Sequence, residues 1–191
     1  MRNRLFLIAL LAAVAPVMFA GAGRAASEGT KSLSATRVDV PPTIDGSLDD
    51  ACWTAAEKAG GMVQRTIGKP AVEQTEFQVC YDARNLYFGI YCHDSQPDRI
   101  AATQTQRDGT FTSDDFVGIL LDAYHQHRSI DQFFVNAIGT QTDDRQRGAA
   151  SKVDWKGDWR AATKRVEDGW TVEVEIPFSI LNYPSGGTSM G

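Results

Sequence analysis

The chain has 191 residues, 19 of them Lys or Arg against 24 Asp or Glu, and only three cysteines. That length suits a single domain with a real core behind an N-terminal leader, and the acidic balance argues against nucleic acid or an anionic membrane surface as partner. Cys52, Cys80 and Cys92 allow at most one internal bridge, so the chain has neither a disulfide framework nor a zinc-ligand spacing.

At the N-terminus, Arg2 and Arg4 precede the apolar run 5–19, and the small residues Gly21, Ala22, Gly23 and Ala25 follow. These are the three parts of a secretory signal peptide, cleaved after Ala25. The apolar run falls short of the roughly 20 residues a membrane-spanning helix needs, and Pro16 interrupts it. No cysteine near the cleavage point offers a lipid anchor. Removing 1–25 takes away Arg2, Arg4 and Arg24 and no acid, so 16 basic residues face 24 acidic ones and the mature charge is −8. The expected organisation is a signal peptide over 1–25, a linker over 26–35 and one exported domain over 36–191, destined for the periplasm, the outer membrane or the cell exterior.

One helix is expected, over 48–58: Ser47 and Asp50 resemble a capping box, and Gly60 and Gly61 stop it. Its Trp53 is a core anchor. Residues 75–94, TEFQVCYDARNLYFGIYCHD, form a hairpin with its turn at 82–85. With Tyr81 opposite Leu86, Cys80 faces Tyr87 and Cys92 faces Thr75, which puts Cys80 and Cys92 on opposite sides of the sheet and excludes a bridge between them. Phe116–Leu121 is six apolar residues between acids, the pattern of a central strand buried on both faces. The link AYHQHRS leads to the next strand. Residues 159–166 and the alternating WTVEVEI of 170–176 make a second hairpin around the EDG turn of 167–169, ended by Pro177. Many short strands and one short N-terminal helix predict an all-β fold, an antiparallel β-sandwich of immunoglobulin-like or jelly-roll-like kind.

The chemistry-bearing residues do not assemble into a catalytic motif. Asp115 and Asp122 flank a six-residue strand and lie roughly 23 Å apart along it, whereas paired glycosidase carboxylates need about 5 to 9.5 Å. There is no G-x-S-x-G, no H-E-x-x-H and no phosphate loop. His125 and His127 lack a third ligand nearby. No cofactor is required. Calcium at loop oxygens of Asp114, Asp143 and Asp144 suits the hard carboxylate ligands better than zinc.

Five segments in order carry a family resemblance: PPTIDGSLDDACW (41–53), VCYDARNLYFGIYCHD (79–94), SDDFVGILLDAY (113–124), FFVNAIGTQTDDR (133–145) and DGWTVEVEIPFSIL (168–181). Over about residues 36–182 the chain resembles the family-9 carbohydrate-binding module and its DOMON-like relatives. The RDG of 107–109, the VNAIGTQTDD run and the pair Trp155 and Trp159 resemble the version at the N-terminus of larger exported bacterial proteins, in which an outer-membrane β-barrel follows. In that group the module continues past IPFSIL into another strand, so the resemblance implies that the domain is incomplete at Gly191.

The resemblance implies non-catalytic binding of a xylan- or cellulose-type polysaccharide or oligosaccharide in extracytoplasmic carbohydrate catabolism. In sugar-binding relatives two tryptophans clamp the ligand end. Here the first falls near Thr112, with Phe111 beside it, and the second lies beyond Gly191. The glutamate of the next strand falls on Gly118, and the arginine of the one after falls on Phe134. Asn136 keeps its polar character on a face shared with Gln132, Phe134, Phe116, Gly118 and Leu120. The candidate sugar contacts are therefore Trp155 and Trp159 for stacking and Arg107, Asn136 and Gln141 for hydrogen bonds, with core packing as the other role for the tryptophans. The alternative to sugar binding is a structural or interaction domain serving a membrane barrel. A glycoside-cleaving enzyme is supported only by the family's usual neighbours.

Overall fold

The computed structural model describes residues 31–191 except 148–149, 153–154, 185 and 188, with backbone alone at 147 and 150–152. The expected signal peptide (1–25) and residues 26–30 of the expected linker lie outside the described residues. The strands in chain order are β1 (Thr36–Arg37), β2 (Thr75–Tyr81), β3 (Asn85–His93), β4 (Phe116–Leu121), β5 (Ser129–Asn136), β6 (Gln141–Arg147), β7 (Ala150–Lys152), β8 (Arg160–Val166) and β9 (Gly169–Pro177). One helix, α1 (Ala51–Ala55), precedes β2. Five strands form one sheet in the order β1-β2-β3-β9-β8 and four form the other, β4-β5-β6-β7. Every pairing is antiparallel except β1 with β2. Ser32–Gly191 is one compact unit, and the architecture is the expected β-sandwich. No helix among the described residues is long and apolar enough to cross a membrane.

The period of two decides what each sheet buries. Leu86, Phe88 and Ile90 of β3 and Val172, Val174 and Ile176 of β9 meet Ile119, Leu121, Phe133 and Val135 of the facing sheet in one core. The 75–93 hairpin has the register its sequence predicts, with Tyr81 opposite Leu86, Cys80 opposite Tyr87 and Thr75 opposite Cys92. Cys92 accordingly lies in the main core, while Cys80 lies on the outer face in a smaller cluster with Cys52, Trp53, Ala56 and Tyr87. All three cysteines are free thiols.

That smaller cluster exists because the segment before β2 folds over the outer face of the five-stranded sheet. Glu173 of β9 points outward yet is fully buried, and its carboxylate accepts from Asp45 N (2.9 Å), Gly46 N (2.8 Å) and Trp53 Nε1 (2.7 Å). Gly46 has φ +88°, and a Cβ there would lie 2.6 Å from the Thr163 carbonyl carbon of β8, so only glycine fits both the dihedral and the approach. Burial pushes the Glu173 carboxyl up, and the donors of Asp45, Trp53 and Gly46 pull against it.

Two expectations are corrected. The helix is five residues long rather than spanning 48–58, and no side chain caps it. Asp50 instead accepts from Thr43 N at 2.9 Å, and the Ser47 hydroxyl accepts from the Lys164 ammonium at 2.8 Å. Both residues tie the covering segment down rather than close a capping box. Phe116–Leu121 is an edge strand, not a central one buried on both faces. Ile119 and Leu121 enter the core, but Phe116 and Leu120 are 48% and 50% exposed. A short apolar run has the same sequence pattern whether both its faces are covered or one is presented to solvent. Past the end of this strand, Asp122 and Gly191 exchange backbone hydrogen bonds, N to O in each direction, at 2.8 and 3.0 Å.

Replacing Glu173 by alanine removes the shared acceptor. A destabilisation of about 1–3 kcal/mol for each donor left buried is expected, read as a fall in urea midpoint. Burial also holds the Cys52 thiol up to about 12 and Cys92 up to about 11 and raises Cys80. In reduced native protein at neutral pH the thiols should therefore react slowly with a disulfide reagent, and all three should react at once after unfolding in guanidinium. Fast native labelling would contradict their burial.

Candidate functional site

The acids around β4 are turn ligands. Asp115 accepts from Ala101 N at 2.7 Å. Asp122 accepts from Tyr124 N (3.2 Å) and His127 N (2.5 Å), folding 122–127 into a tight turn in which His125 and His127 have φ of +50° and +55°. Both histidines are exposed.

Four of the five expected sugar contacts join structural networks. Asp143, on the inner face of β6 and 2% exposed, accepts from Arg107 Nη2 at 2.5 Å and Trp159 Nε1 at 2.6 Å. Arg107 also donates to the Gln141 amide oxygen (3.1 Å) and the Gly157 carbonyl (2.9 Å), and the Gln141 amide nitrogen donates to the Trp159 carbonyl (3.1 Å). Trp159 is 3% exposed, edge-on to Phe133, and fills the core role rather than standing at a rim. Asn136 is fully buried: its nitrogen donates to Gln104 O and Asp114 Oδ2, both at 2.8 Å, and its oxygen accepts from Thr140 N at 2.8 Å. Trp155, the fifth, is half-buried, edge-on to Phe133, with the Arg145 guanidinium 3.9 Å from its ring centroid.

The residues expected to hold calcium do not converge. Successive strand residues point to opposite faces, so Asp143 faces the core opposite Phe133 while Asp144 faces outward opposite Gln132. Asp114 belongs to a third place, the 103–114 loop, where it accepts from Thr103 N (2.8 Å), Thr103 Oγ1 (2.9 Å) and Gln104 N (3.0 Å). Among the described residues no three His, Cys, Asp or Glu side chains gather as a metal site.

The outer face of the four-stranded sheet carries a different feature. Phe111, Phe116 and Phe134 form a chain of rings, with centroids 5.7 Å apart for the first pair and 6.0 Å for the second. Gly118 faces Phe134 across β4 and β5, and a Cβ at Gly118 would lie 2.8 Å from the Phe134 ring. The ring therefore lies against the bare glycine backbone, a cross-strand pairing of glycine with an aromatic ring. Thr142, opposite Phe134, and the Gln132–Asp144 pair (3.5 Å) border it with polar groups. The rings are not coplanar, at 43° for the first pair and 71° for the second, so they make a ridged aromatic patch on which one ring at a time can stack against a ligand ring, with amide, carboxylate and hydroxyl at its edge. The sequence places Phe116, Gly118 and Phe134 on one face, at or beside the positions where the resemblance puts ligand contacts, but not as an aromatic patch able to bind. The signal that could have found the platform is the glycine opposite an aromatic, once the β4–β5 register is known.

A two-sheet sandwich with an aromatic platform on an outer face, its acids engaged in loop anchoring, has the form of a non-catalytic binding domain. The profile of the carbohydrate family 9 binding domain-like group matches residues 44–191, and the chain belongs to that family of carbohydrate-binding domains. Two solved structures of a family 9 carbohydrate-binding module from Caldicellulosiruptor kristjanssonii are similar to it, each 21% identical. The complex with cellotriose has a TM-score of 0.57, covering 83% of this chain and 73% of that one. The complex with glucose has a TM-score of 0.55, covering 82% and 75%. A proposed carbohydrate-binding protein from Bacteroides uniformis is 14% identical, with a TM-score of 0.63 over 78% of this chain and 73% of that one. At these identities the likeness is one of fold. No curated protein matches the sequence.

The loop anchors make a pH prediction. The backbone N–H of Gln104, with Thr103 and the Asn136 amide, holds the Asp114 carboxyl down to about 2. A depressed carboxyl stabilises the fold above its unfolded value and loses that contribution as pH falls through its folded value. Asp114→Asn should therefore lower the melting temperature at neutral pH, and the gap to wild type should close between about pH 4 and about pH 2. A gap independent of pH would mean that the lost hydrogen-bond geometry matters and the charge does not.

Proposed function

We propose that this domain binds a β-linked oligosaccharide or polysaccharide of the cellulose or xylan type, outside the cytoplasm, in carbohydrate catabolism. In this reading the sugar stacks on the platform of Phe111, Phe116 and Phe134. The observation that carries it is the Phe134 ring laid against Gly118 on an exposed sheet face, in a chain that belongs to a carbohydrate-binding family. That a similar fold has been solved with cellotriose and with glucose supports the choice of sugar class. The signal-like segment 1–25 supports export.

One observation favours the alternative, an interaction domain attached to an outer-membrane β-barrel. Among the described residues no strand pairs with the outer edge of β4 over Phe116–Leu121, beside exposed Phe116 and Leu120, and a strand edge flanked by apolar surface suits another protein segment.

Two adjacent phenylalanines separate the readings. Phe133 is wholly buried and Phe134 is half-exposed on the other face. Phe133→Ala should cost about 3–5 kcal/mol of stability. Phe134→Ala should leave the thermal midpoint within a few degrees but weaken cello-oligosaccharide binding by roughly 5- to 150-fold, the range for a stacked aromatic contact worth about 1–3 kcal/mol. If the wild-type protein binds neither cello- nor xylo-oligosaccharides in calorimetry, the interaction-domain reading takes over.

A further inference from the structure

The outer face of the five-stranded sheet is covered for only part of its length. The covering segment lies over Glu173 and touches the next row across the strands only at its far half, with Gly46 on Thr171 and Ser47 on Lys164, so that row opens toward β3 and β2. By register that row runs Glu76 on β2, Tyr91 on β3, Thr171 on β9 and Lys164 on β8. With strands about 4.8 Å apart, its two charged ends are roughly 14 Å from each other. Ser47, Leu48, Asp49, Trp53 and Thr54 rise beside it as a wall, and the whole forms an open cleft of about 680 Å³. That volume is within the roughly 300–1,000 Å³ of small-ligand sites.

The lining has three properties of a ligand site. First, it has an aromatic floor. Tyr91 is stacked on His93 with ring centroids 4.4 Å apart and lines the cleft, whereas His93 does not. The adjoining outward position on β3 is Gly89, where a Cβ would lie 2.9 Å from the Trp53 ring, so β3 puts no side chain between Tyr91 and the wall. Second, donors and acceptors alternate around that floor. The Lys58 ammonium pairs with Glu76 at 3.4 Å, and Lys164 donates to the Ser47 hydroxyl. The Gln78 amide nitrogen donates to the carbonyls of Trp53 and Ala56 where the residue lines the cleft. Third, the charges cancel. Lys58 and Lys164 balance Asp49 and Glu76, although the protein as a whole carries −5. A cleft with no net charge favours neither an anion nor a cation, and alternating donors and acceptors around an aromatic plane fit a neutral polyhydroxylated ring.

We propose that this cleft is a second carbohydrate site, on the opposite side of the sandwich from the phenylalanine platform, taking a short stretch of neutral oligosaccharide on Tyr91. Its ligand class rests on the reading of the domain as a sugar binder; its position does not depend on the platform. Two separated sites would let one domain engage two chains, or two stretches of one chain, with a gain from effective concentration rather than from tighter contacts.

The test uses the full mature chain with cellotriose as probe, followed by calorimetry and by backbone amide shifts in heteronuclear NMR. The expected result is two equivalents bound, with shifts at Thr54, Gly89 and Lys164 separate from those at Gly118 and Thr142. Tyr91→Leu should weaken the cleft site at least tenfold and abolish only the first group of shifts. Lys164→Ala, an exposed position, should act in the same direction and keeps the test valid if the tyrosine variant is unstable. Phe134→Ala should abolish only the second group. One equivalent that survives both cleft variants and disappears in Phe134→Ala overturns the cleft and leaves the platform standing. One equivalent with the opposite behaviour supports the cleft and removes the platform. No binding of cellotriose at millimolar concentration overturns both.

Discussion

The buried carboxylate of Glu173 is the constraint on which the rest of the five-stranded sheet depends. β9 lies between β3 and β8, so a carboxylate on its outer face would sit over apolar neighbours unless donors were brought to it. Asp45 N, Gly46 N and Trp53 Nε1 supply them. An unpaired buried carboxylate would be far costlier than the ordering of one segment. The covering segment must therefore cross the sheet at Gly46, within contact distance of the β8 backbone, and α1 must present Trp53 from the other side. Thr171 reinforces the same crossing by donating to the Gly46 carbonyl at 2.6 Å. Where the segment ends is equally determined: Gly46 meets Thr171 and Ser47 meets Lys164, so it covers the β9–β8 half of the Glu76–Lys164 row and leaves the Tyr91 and Glu76 half open as the cleft.

The other sheet repeats the arrangement. Asp143 on β6 is buried, and it too gathers a tryptophan N–H, from Trp159, together with Arg107 and the Gly157 N–H. Each sheet thus holds one loop system through an acid that accepts from an indole. Satisfied polar hubs of this kind rigidify the segments they bind. Their consequence for recognition is negative as well as positive. Arg107, Gln141, Asn136 and Trp159 look like ligand contacts by residue type, but their polar atoms meet one another and the backbone. The groups left facing solvent with an aromatic plane are those outside the hubs: Phe111, Phe116 and Phe134 on one side, Tyr91 on the other.

The sequence was most legible where local pattern alone decides structure. The 75–93 register, the separation of Cys80 from Cys92 and the inward face of 170–176 all follow from a period of two and a short turn, and the structure has each of them. The family motifs made the sandwich legible as well. Legibility failed where the outcome depends on what a distant segment covers. Phe116–Leu121 has no internal mark distinguishing a central from an edge strand. Ser47 and Asp50 have the spacing of a cap, yet the partners that claim them, Lys164 and the Thr43 N–H, are chosen by tertiary packing. Asp143 and Asp144 look like a carboxylate pair on paper and are divided by the pleat. The cleft row joins residues from 76 to 171, and no window of sequence contains it.

The two open faces differ in what they can discriminate. A ring lying against a backbone, as Phe134 does against Gly118, offers one flat face, which favours any flat apolar surface and carries little directional information. The cleft row offers the reverse: one aromatic plane between an ammonium–carboxylate pair at one end and a second ammonium at the other, with Asp49 on the wall. Hydrogen-bonding groups fixed by their own partners reject a ligand that leaves them unmet more strongly than an apolar surface rejects a poor fit. Lys58 pairs with Glu76 and Lys164 with Ser47 at exposed positions, so these contacts bias where their remaining donors point without fixing them. In the proposed reading, the phenylalanine patch would hold a polysaccharide surface and the cleft would choose among sugars. The division follows from the covering segment, which on one sheet reaches Thr171 and Lys164 but leaves Tyr91 and Glu76 open, and which among the described residues has no counterpart over Phe116 and Leu120 of the other.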